Sequence, residues 1–482
     1  MLGRSRTPRT RLSRRAVLAT ASLAMAAATT VAAAGPAAAG PPSDERGHGA
    51  FTVSRDGRPV TVPFTSPRDG EAFVRLTVAA PGVDWGTAGA ESAVVQLLVD
   101  GKPSADVVVF GATPTERSFA LGALAKGRHH LTLRFAADRS PAGAVVRVSR
   151  VHTETLGSGH RDFAAAANAP VMYGRNGAGG PFENAVTDTP VLAWHQEAPA
   201  ATAGHRVLTY TVVWTNEDGG TSTPALMARW GRTTDIEWAY RVEVDERGVA
   251  VPGTAFFQSA NHGNTPFTGR YENGHPLLQT CTLNNNMCDT VDNPMRFPLT
   301  ATERLDEPAL TSREEMVDRH PWVYTVMTDE VRREGKVVAE PPAATTTLIA
   351  DPRDYLYAVV RKTTSPPAPG VVGWVGVTLG VRLKGDPTLY RSDNGHADWS
   401  LSRDDPAATT VRLPAGAKAS DIAEIVAIRT VYGADTGSSV TVNAVNRAFL
   451  LTADDRPDRA LPVAFDPATL TAADPEAVLY RV

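Results

Sequence analysis

Ala93-Val-Val-Gln-Leu-Leu-Val-Asp-Gly101 is an aliphatic, β-branched run interrupted by one polar residue and closed by Asp-Gly, the dipeptide of tight hairpin turns. Runs of the same kind surround it: Ala72-Phe-Val-Arg-Leu-Thr-Val78, Asp106-Val-Val-Val-Phe110, Arg128-His-His-Leu-Thr-Leu-Arg-Phe135 and Ala144-Val-Val-Arg-Val-Ser-Arg-Val151. Short strands spaced roughly 10–15 residues apart, with turn residues between them, predict a two-sheet sandwich over residues 50–155. Gly157-Ser-Gly-His160 reads as the linker that follows.

The same grammar continues downstream. Val207-Leu-Thr-Tyr-Thr-Val-Val-Trp214 and Ile236-Glu-Trp-Ala-Tyr-Arg-Val-Glu-Val244 predict strands of a central region, residues 162–342. Between Thr300 and Lys336 the pattern turns helical, with Thr311-Ser-Arg-Glu-Glu-Met-Val-Asp offering a cap and an acidic first turn. Tyr355–Arg361, Val371–Leu379, Ile425–Tyr432 and Ser439–Val445 predict a third, C-terminal sandwich over residues 345–482. No fixed-period repeat marks a solenoid or propeller. The expected fold is therefore mainly β and multi-domain, a stack of β-sandwich or jelly-roll modules with a short helical insertion in the central one. A length of 482 residues suits two to four domains at roughly 100–200 residues each.

The first charges of the chain are Arg4, Arg6, Arg9, Arg11, Arg14 and Arg15, followed by an Ala-rich apolar stretch and Ala37-Ala38-Ala39. Paired arginines before a weakly apolar segment and small residues at its end predict a twin-arginine signal peptide over residues 1–39, hence secretion through the twin-arginine translocase. The whole chain has a formal charge of −4, and losing those arginines makes the remainder more acidic. That balance argues against nucleic acid or anionic membrane as bulk partners. No later run of about 18 apolar residues predicts a transmembrane segment. Cys281 and Cys288, the only two cysteines, predict a local disulfide in an oxidising compartment.

Serine-hydrolase elbows, zincin helices and phosphate-binding glycine loops are absent from the sequence. The polar residues gather instead in the central region, where Trp214-Thr-Asn-Glu-Asp218 ends one strand and Gly231-Arg-Thr-Thr-Asp-Ile-Glu237 opens the next. Alternation places Asp235 and Glu237 on one face about 7 Å apart, with Ile236 and Trp238 opposite. Two such carboxylates repel each other or share a counterion, and a hard divalent cation with oxygen ligands is the usual partner. Asn261-His262-Gly263, after a further strand, brings an imidazole alongside.

Asn168-Ala-Pro-Val, Trp214-Thr-Asn-Glu-Asp218, Gly231-Arg-Thr-Thr-Asp-Ile-Glu237 and Ser259-Ala-Asn-His262-Gly263 follow one another in an order that resembles two families. One is the necrosis-inducing, Nep-like cytolysins, with their G-H-R-H-D-W-E hallmark and later S-x-H-G. The other is the vacuolar-protein-sorting-like domain, with A-P-V and H-x-G-D-W-E. The resemblance implies a β-rich fold and a divalent cation (Mg²⁺, Ca²⁺ or Mn²⁺) held by Asp218, Asp235, Glu237 and His262. Arg232, Thr234 and Ile236 depart from the hallmark's two histidines and its tryptophan. Arg232 removes one implied ligand and offers a guanidinium to Asp218 or Asp235. The flanking sandwiches, through Val99-Asp-Gly-Lys102 and Leu124-Ala-Lys-Gly-Arg-His-His130, loosely resemble carbohydrate-binding jelly rolls.

Further candidates are Asn273-Gly-His275 and Asn284-Asn285-Asn286, expected to line the same mouth, together with Trp194-His195-Gln196-Glu197 and the turn Tyr390–Trp399. Trp230, Trp238 and Trp322 are candidate sugar-stacking surfaces, although buried tryptophans more often fill cores. The composite expectation is a secreted protein that acts on or binds an extracellular glycan. Asp235, Glu237 and His262 would be catalytic, as metal ligands or as acid and base, in a polysaccharide hydrolase or lyase. The alternative is a non-catalytic or cytolysin-like protein that recognises a lipid or sugar headgroup. Arg14→Lys with Arg15→Lys should abolish export of the chain in its host; undiminished accumulation in the culture medium would contradict the signal assignment.

Overall fold

Alternating burial pairs the strands between Phe51 and Leu156 into two four-stranded antiparallel sheets. One runs Phe51–Ser54, Val145–Leu156, Gly70–Ala79, Thr115–Leu124, and the other Val60–Ser66, Gly127–Phe135, Ala93–Val99, Lys102–Val109. The Asp100-Gly101 turn joins the last two strands with both residues in the left-handed region (φ 48° and 80°), which a tight hairpin needs. The structure is a computed structural model that describes residues 49–482, apart from Asp218, Glu307, Ala309, Leu310 and Asp405. The signal-peptide assignment and the candidate ligand Asp218 thus lie outside the described residues.

The middle of the chain builds two five-stranded sheets. One is antiparallel, in the order Pro190–Pro199, Arg206–Trp214, Asp235–Val244, Phe256–Ser259, Gly263–Pro266. The other joins Tyr271–Glu272, His275–Thr280, Val171–Tyr173 and Arg296–Phe297, with Met287–Cys288 paired to His275–Thr280. Four helices accompany them: α1 (Phe163–Ala167), α2 (Thr223–Trp230), α3 (Arg313–Asp318) and α4 (Trp322–Arg333). The helical pattern between Thr300 and Lys336 becomes α3 and α4, and Ser312 with Glu315 forms a reciprocal capping box at the start of α3. Helix α2 is not anticipated, because eight residues are too few for periodicity to stand out and only the Pro near its start marks it. Two further four-stranded antiparallel sheets, between Tyr355 and Arg481, complete the mainly β architecture. Among the described residues no helix is long and apolar enough to cross a membrane.

The apolar clusters do not stop where the sequence segments do. One is continuous from Val53 and Leu133 to Trp214, Leu278 and Val326. Another joins Val323 and Met327 of α4 to Tyr355, Tyr357 and Phe449. The described residues accordingly form one compact unit. Polar seams reinforce the contacts: Glu71 meets His275 at 3.1 Å, and the Thr409 and Thr410 hydroxyls donate to the Ala228 and Met227 carbonyls at 2.6 and 2.8 Å. The first of these hydroxyl bonds satisfies a carbonyl in the last turn of α2, and the second shares the Met227 carbonyl with the Gly231 N–H.

Glu330 of α4 is the most buried acid of these seams. Its carboxyl accepts from the Trp85 indole at 3.0 Å and the Thr187 hydroxyl at 2.7 Å, with Arg333 at 3.2 Å. Burial pushes its pKa up to about 7, against the pull of Arg333. A raised carboxyl favours the protonated fold, so this stabilisation is complete below the ordinary value of 4.5 and is lost as pH rises through about 7. Between about pH 4.5 and pH 8 the wild type should lose about 3 kcal/mol more stability than Glu330→Gln. Urea unfolding of both proteins across that range checks the difference; parallel pH profiles would contradict it.

Candidate functional site

Strand pairing builds the site. Asp235 lies opposite Trp214 and Glu237 opposite Val212. Trp214 and Val212 belong to one apolar cluster, whereas Ile236 joins Trp194 and Met327 in another on the opposite face. The two carboxylates therefore share a face. A register shift at Tyr210/Thr211 leaves Ala239 as an extra residue, so Tyr240, Val242 and Val244 return to the core cluster beyond it. One strand thus carries a polar end and an apolar end on the same side.

Asp235 is 2 % exposed, its Oδ2 has no hydrogen-bond partner, and no cation lies within ion-pair distance among the described residues. Burial holds its pKa well above the ordinary carboxylate range, and the charges of Glu237 and Glu217 push it the same way, opposed by Arg232 and the Asn285 amide. Glu217 is also raised by burial, although the Thr221 backbone N–H donates to it at 2.8 Å. Glu217 is a member of the group that sequence reasoning misses. Its signal is the acid pair ending Trp214-Thr-Asn-Glu-Asp218, in which the resemblance points to the neighbouring acid instead.

His262 caps the group on the solvent side. Its Nδ1 lies 3.6 Å from Glu237 Oε1 and 3.1 Å from Gln258 Nε2, with the imidazole 55 % exposed and Glu237 14 %. With the Asn284 amide oriented to satisfy both ends, its nitrogen donates to Glu217 Oε1 at 3.0 Å and its oxygen accepts from His262 Nε2 at 3.3 Å. Asn261 and His262 both adopt left-handed backbone (φ 60° and 57°), a conformation that bulky residues keep only where their surroundings hold it. Gly220, at φ 96°, leaves room for the Asn284 amide, which a β-carbon there would meet.

The Cys281–Cys288 disulfide closes the loop that carries Asn284, Asn285 and Asn286 into the cluster. Asn285 donates to the Asn216 carbonyl at 3.1 Å. Thr233, Thr234, Asp235, Gln258, Asn285 and Asn286 each keep a buried polar atom without a partner, an unusual concentration for a folded interior. Arg232 does not pair with Asp235: its Nε meets Glu314 at 3.2 Å and its terminal nitrogen donates to the Thr234 carbonyl. The cavity behind it, beside Thr234, Glu314 and Met327, holds about 10 Å³, room for a single water. The outer members of the group are Glu237, His262 and Asn284.

For a divalent cation the donor types are suitable, since carboxylates and amide oxygens are the hard ligands such ions take. Their placement is less so. Among the described residues no three His, Cys, Asp or Glu side chains gather as a metal site. Glu237 and His262 approach each other, whereas Asp235 stays buried.

Several of the remaining candidates make structural contacts. His275 is buried against Glu71 and the Ala169 carbonyl, so Asn273-Gly-His275 belongs to a seam with the first sandwich and not to the Asn284 mouth. His195 is 1 % exposed and bonded to the Ala301 carbonyl at 2.8 Å, and Trp194 packs in the core. In the Tyr390–Trp399 turn, Asp393 is held by Arg391 at 2.7 Å while the His396 and Trp399 rings stack at 4.1 Å. Trp322 stacks on Phe110 at 6.0 Å under Arg117, and Trp238 lies under Arg241. His129, in the jelly-roll-like segment, pairs with Asp100 at 2.7 Å and braces the hairpin corner.

No protein-family model matches this chain, the cytolysin and vacuolar-sorting families included, and no curated protein matches it. Solved structures give partial likenesses. A family-36 carbohydrate-binding module in complex with calcium and xylotriose is 14 % identical over 23 % of this chain and 94 % of its own, at a TM-score of 0.17. The sugar-binding C-terminal domain of EclA is 15 % identical over 22 % of this chain and 76 % of its own, at 0.17. A family-two carbohydrate esterase from Clostridium thermocellum in complex with cellohexaose is 21 % identical over 26 % of this chain and 33 % of its own, at 0.15. Each spans about a quarter of the chain, and at these scores none carries an argument about its function.

Proposed function

We propose that this chain is an exported protein that binds and cleaves an extracellular glycan by proton transfer at the Glu237–His262 pair. The observation that carries the reading is the partnerless Oδ2 of Asp235, buried beside two further acids, one of which, Glu237, lies against the solvent-facing His262 imidazole. His262 and Glu237 are the groups that reach substrate. Gln258 Nε2 holds the ring at Nδ1 beside Glu237, and His262 either protonates the glycosidic oxygen while water adds to the anomeric carbon as the C–O bond breaks, or takes the proton from a carbon beside a carboxylate while a C=C bond forms and the leaving sugar oxygen is protonated by water. Asp235, kept neutral by its surroundings, is a positioning residue: uncharged, it spares Glu237 a second negative neighbour. A glycan partner agrees with the β-sandwich flanks, and twin-arginine export remains part of the same proposal.

A second reading, a divalent cation drawn to Asp235 and Glu237, is favoured by the unpaired Asp235 oxygen among like charges. Those residues would hold the ion, and it would polarise a sugar hydroxyl or carboxylate.

His262→Ala and Glu237→Gln should each lower turnover by about 10²–10⁴-fold without changing the melting temperature. New reducing ends and the ultraviolet absorbance of unsaturated uronides, measured on a polysaccharide panel, separate hydrolysis from elimination. Wild type that is inert on every neutral and acidic polymer would end the catalytic reading.

The Asp235 carboxyl has a raised pKa, so its ionisation destabilises the fold as pH rises and costs nothing once pH falls below the ordinary value of 3.8. Asp235→Asn should therefore melt higher than wild type in alkaline buffer containing chelator, and the gain should vanish in acid. Adding Mg²⁺, Ca²⁺ or Mn²⁺ raises the wild-type melting temperature alone if the cation reading holds. Identical melting with chelator and with each ion would remove it.

A further inference from the structure

Trp230, the last residue of α2, is encircled by arginines. The guanidinium carbon of Arg403 lies 3.9 Å from its ring centroid, with Arg313 at 5.5 Å, Arg232 at 5.8 Å and Arg229 at 5.9 Å. The four come from separate places: the end of α2 and the residue just beyond its cap, the first residue of α3, and the loop before strand Ala407–Arg412. Gly231 is left-handed at φ 64°, and a β-carbon there would lie 3.0 Å from Ala408 and Thr409. It turns the chain tightly enough to return Arg232 towards the indole.

Only one of these charges is matched. Arg232 pairs with the buried Glu314 at 3.2 Å, while Arg229, Arg313 and Arg403 have no carboxylate within ion-pair distance among the described residues. Arg313 donates instead to the Ile236 carbonyl at 2.8 Å and Arg403 to the Arg229 carbonyl at 3.1 Å. Trp230, Arg229, Arg313 and Arg403 each keep part of their surface exposed, although the guanidiniums of Arg313 and Arg403 lie largely inside the protein. Burial, together with the charges of Arg313, Arg232 and Arg229, pulls Arg403 down to about 10 against the support of Glu314. Several guanidiniums gathered this closely repel one another, and a fold selected for stability alone gains nothing from them. A planar guanidinium resting on an indole is also held ready to present its N–H edge to oxyanions.

We propose that Trp230 with Arg229, Arg313 and Arg403 forms a binding subsite for the carboxylate or sulfate groups of an acidic polysaccharide. The inference deepens the glycan reading by naming its substrate class, and it rests on that reading only for the idea that the bound polymer extends to Glu237 and His262. Arg232 and Arg313 connect the two places, since both act electrostatically on the acids of the neighbouring cluster.

The test is equilibrium binding of the chain from residue 40 onward, in chelator, to polygalacturonate, chondroitin sulfate, uncharged dextran and a single-stranded DNA oligonucleotide. Wild type should bind at least one acidic glycan, weaken with added salt, and ignore dextran. Preference between polygalacturonate and chondroitin sulfate distinguishes carboxylate from sulfate. Arg229→Gln/Arg403→Gln should weaken binding at least tenfold with an unchanged or higher melting temperature. Arg161→Gln, at a side chain 90 % exposed elsewhere, should change neither. If the double variant does not fold, Arg229→Gln alone carries the same test. Glu237→Gln should keep its affinity even where turnover is lost, so failure of catalysis and failure of this subsite are told apart. The proposal is overturned if no acidic glycan binds, if DNA or dextran binds as tightly, or if the variants melt lower while affinity stays unchanged.

Discussion

Register between strands Arg206–Trp214 and Asp235–Val244 sets Asp235 opposite Trp214 and Glu237 opposite Val212, and the polar centre depends on that alignment. A slip of one residue would turn both carboxylates to the face where Ile236 now packs against Trp194 and Met327. The alignment is held by apolar burial on both faces, since Trp214, Tyr210 and Val213 are each fully enclosed. Hydrophobic pairing along most of the strand thus forces two acids into a place they would not choose. Buried carboxylates without cations are costly, so the sheet bears a charge penalty that the surrounding core offsets.

A second like-charge assembly stands close by. The acids Glu217, Asp235 and Glu237 and the arginines around Trp230 are joined through Arg232 and Arg313, yet the ion pairs that would neutralise them are mostly not made. Arg232 is spent on Glu314, and Glu237 meets only His262. Opposite charges held near each other but unpaired keep their hydrogen-bonding capacity for something else. Left-handed backbone at Asn261, His262 and Asn285 has the same character, being strain that the disulfide loop and the edge hairpin maintain.

Much of this is legible in the residues. Period-two runs announce most of the long strands, though not Thr115–Leu124 or Pro190–Pro199, and Asp-Gly announces the first tight hairpin. The shared face of Asp235 and Glu237 follows from alternation alone, because the two-residue period of a strand is geometric. Proximity of His262 and of Asn284 to the acids also agrees with the order of the segments. Less visible are α2, whose eight residues are too short for a periodic signal, and Glu217, which looks like one more turn acid. The His275 assignment fails for a different reason. A histidine in a polar turn looks the same whether it faces solvent or, as here, Glu71 of another sheet.

By itself the sequence determined strand content, the local disulfide and which side chains share a face, since these depend on near neighbours in the chain. Only the tertiary structure decided that the apolar clusters run on from one sandwich into the next, that Arg232 answers Glu314, and that Arg229, Arg313 and Arg403 meet at one indole. Those contacts join residues separated by tens to hundreds of positions. Their existence rests on how whole sheets pack, and packing depends on the summed shape of many side chains, which no local pattern encodes.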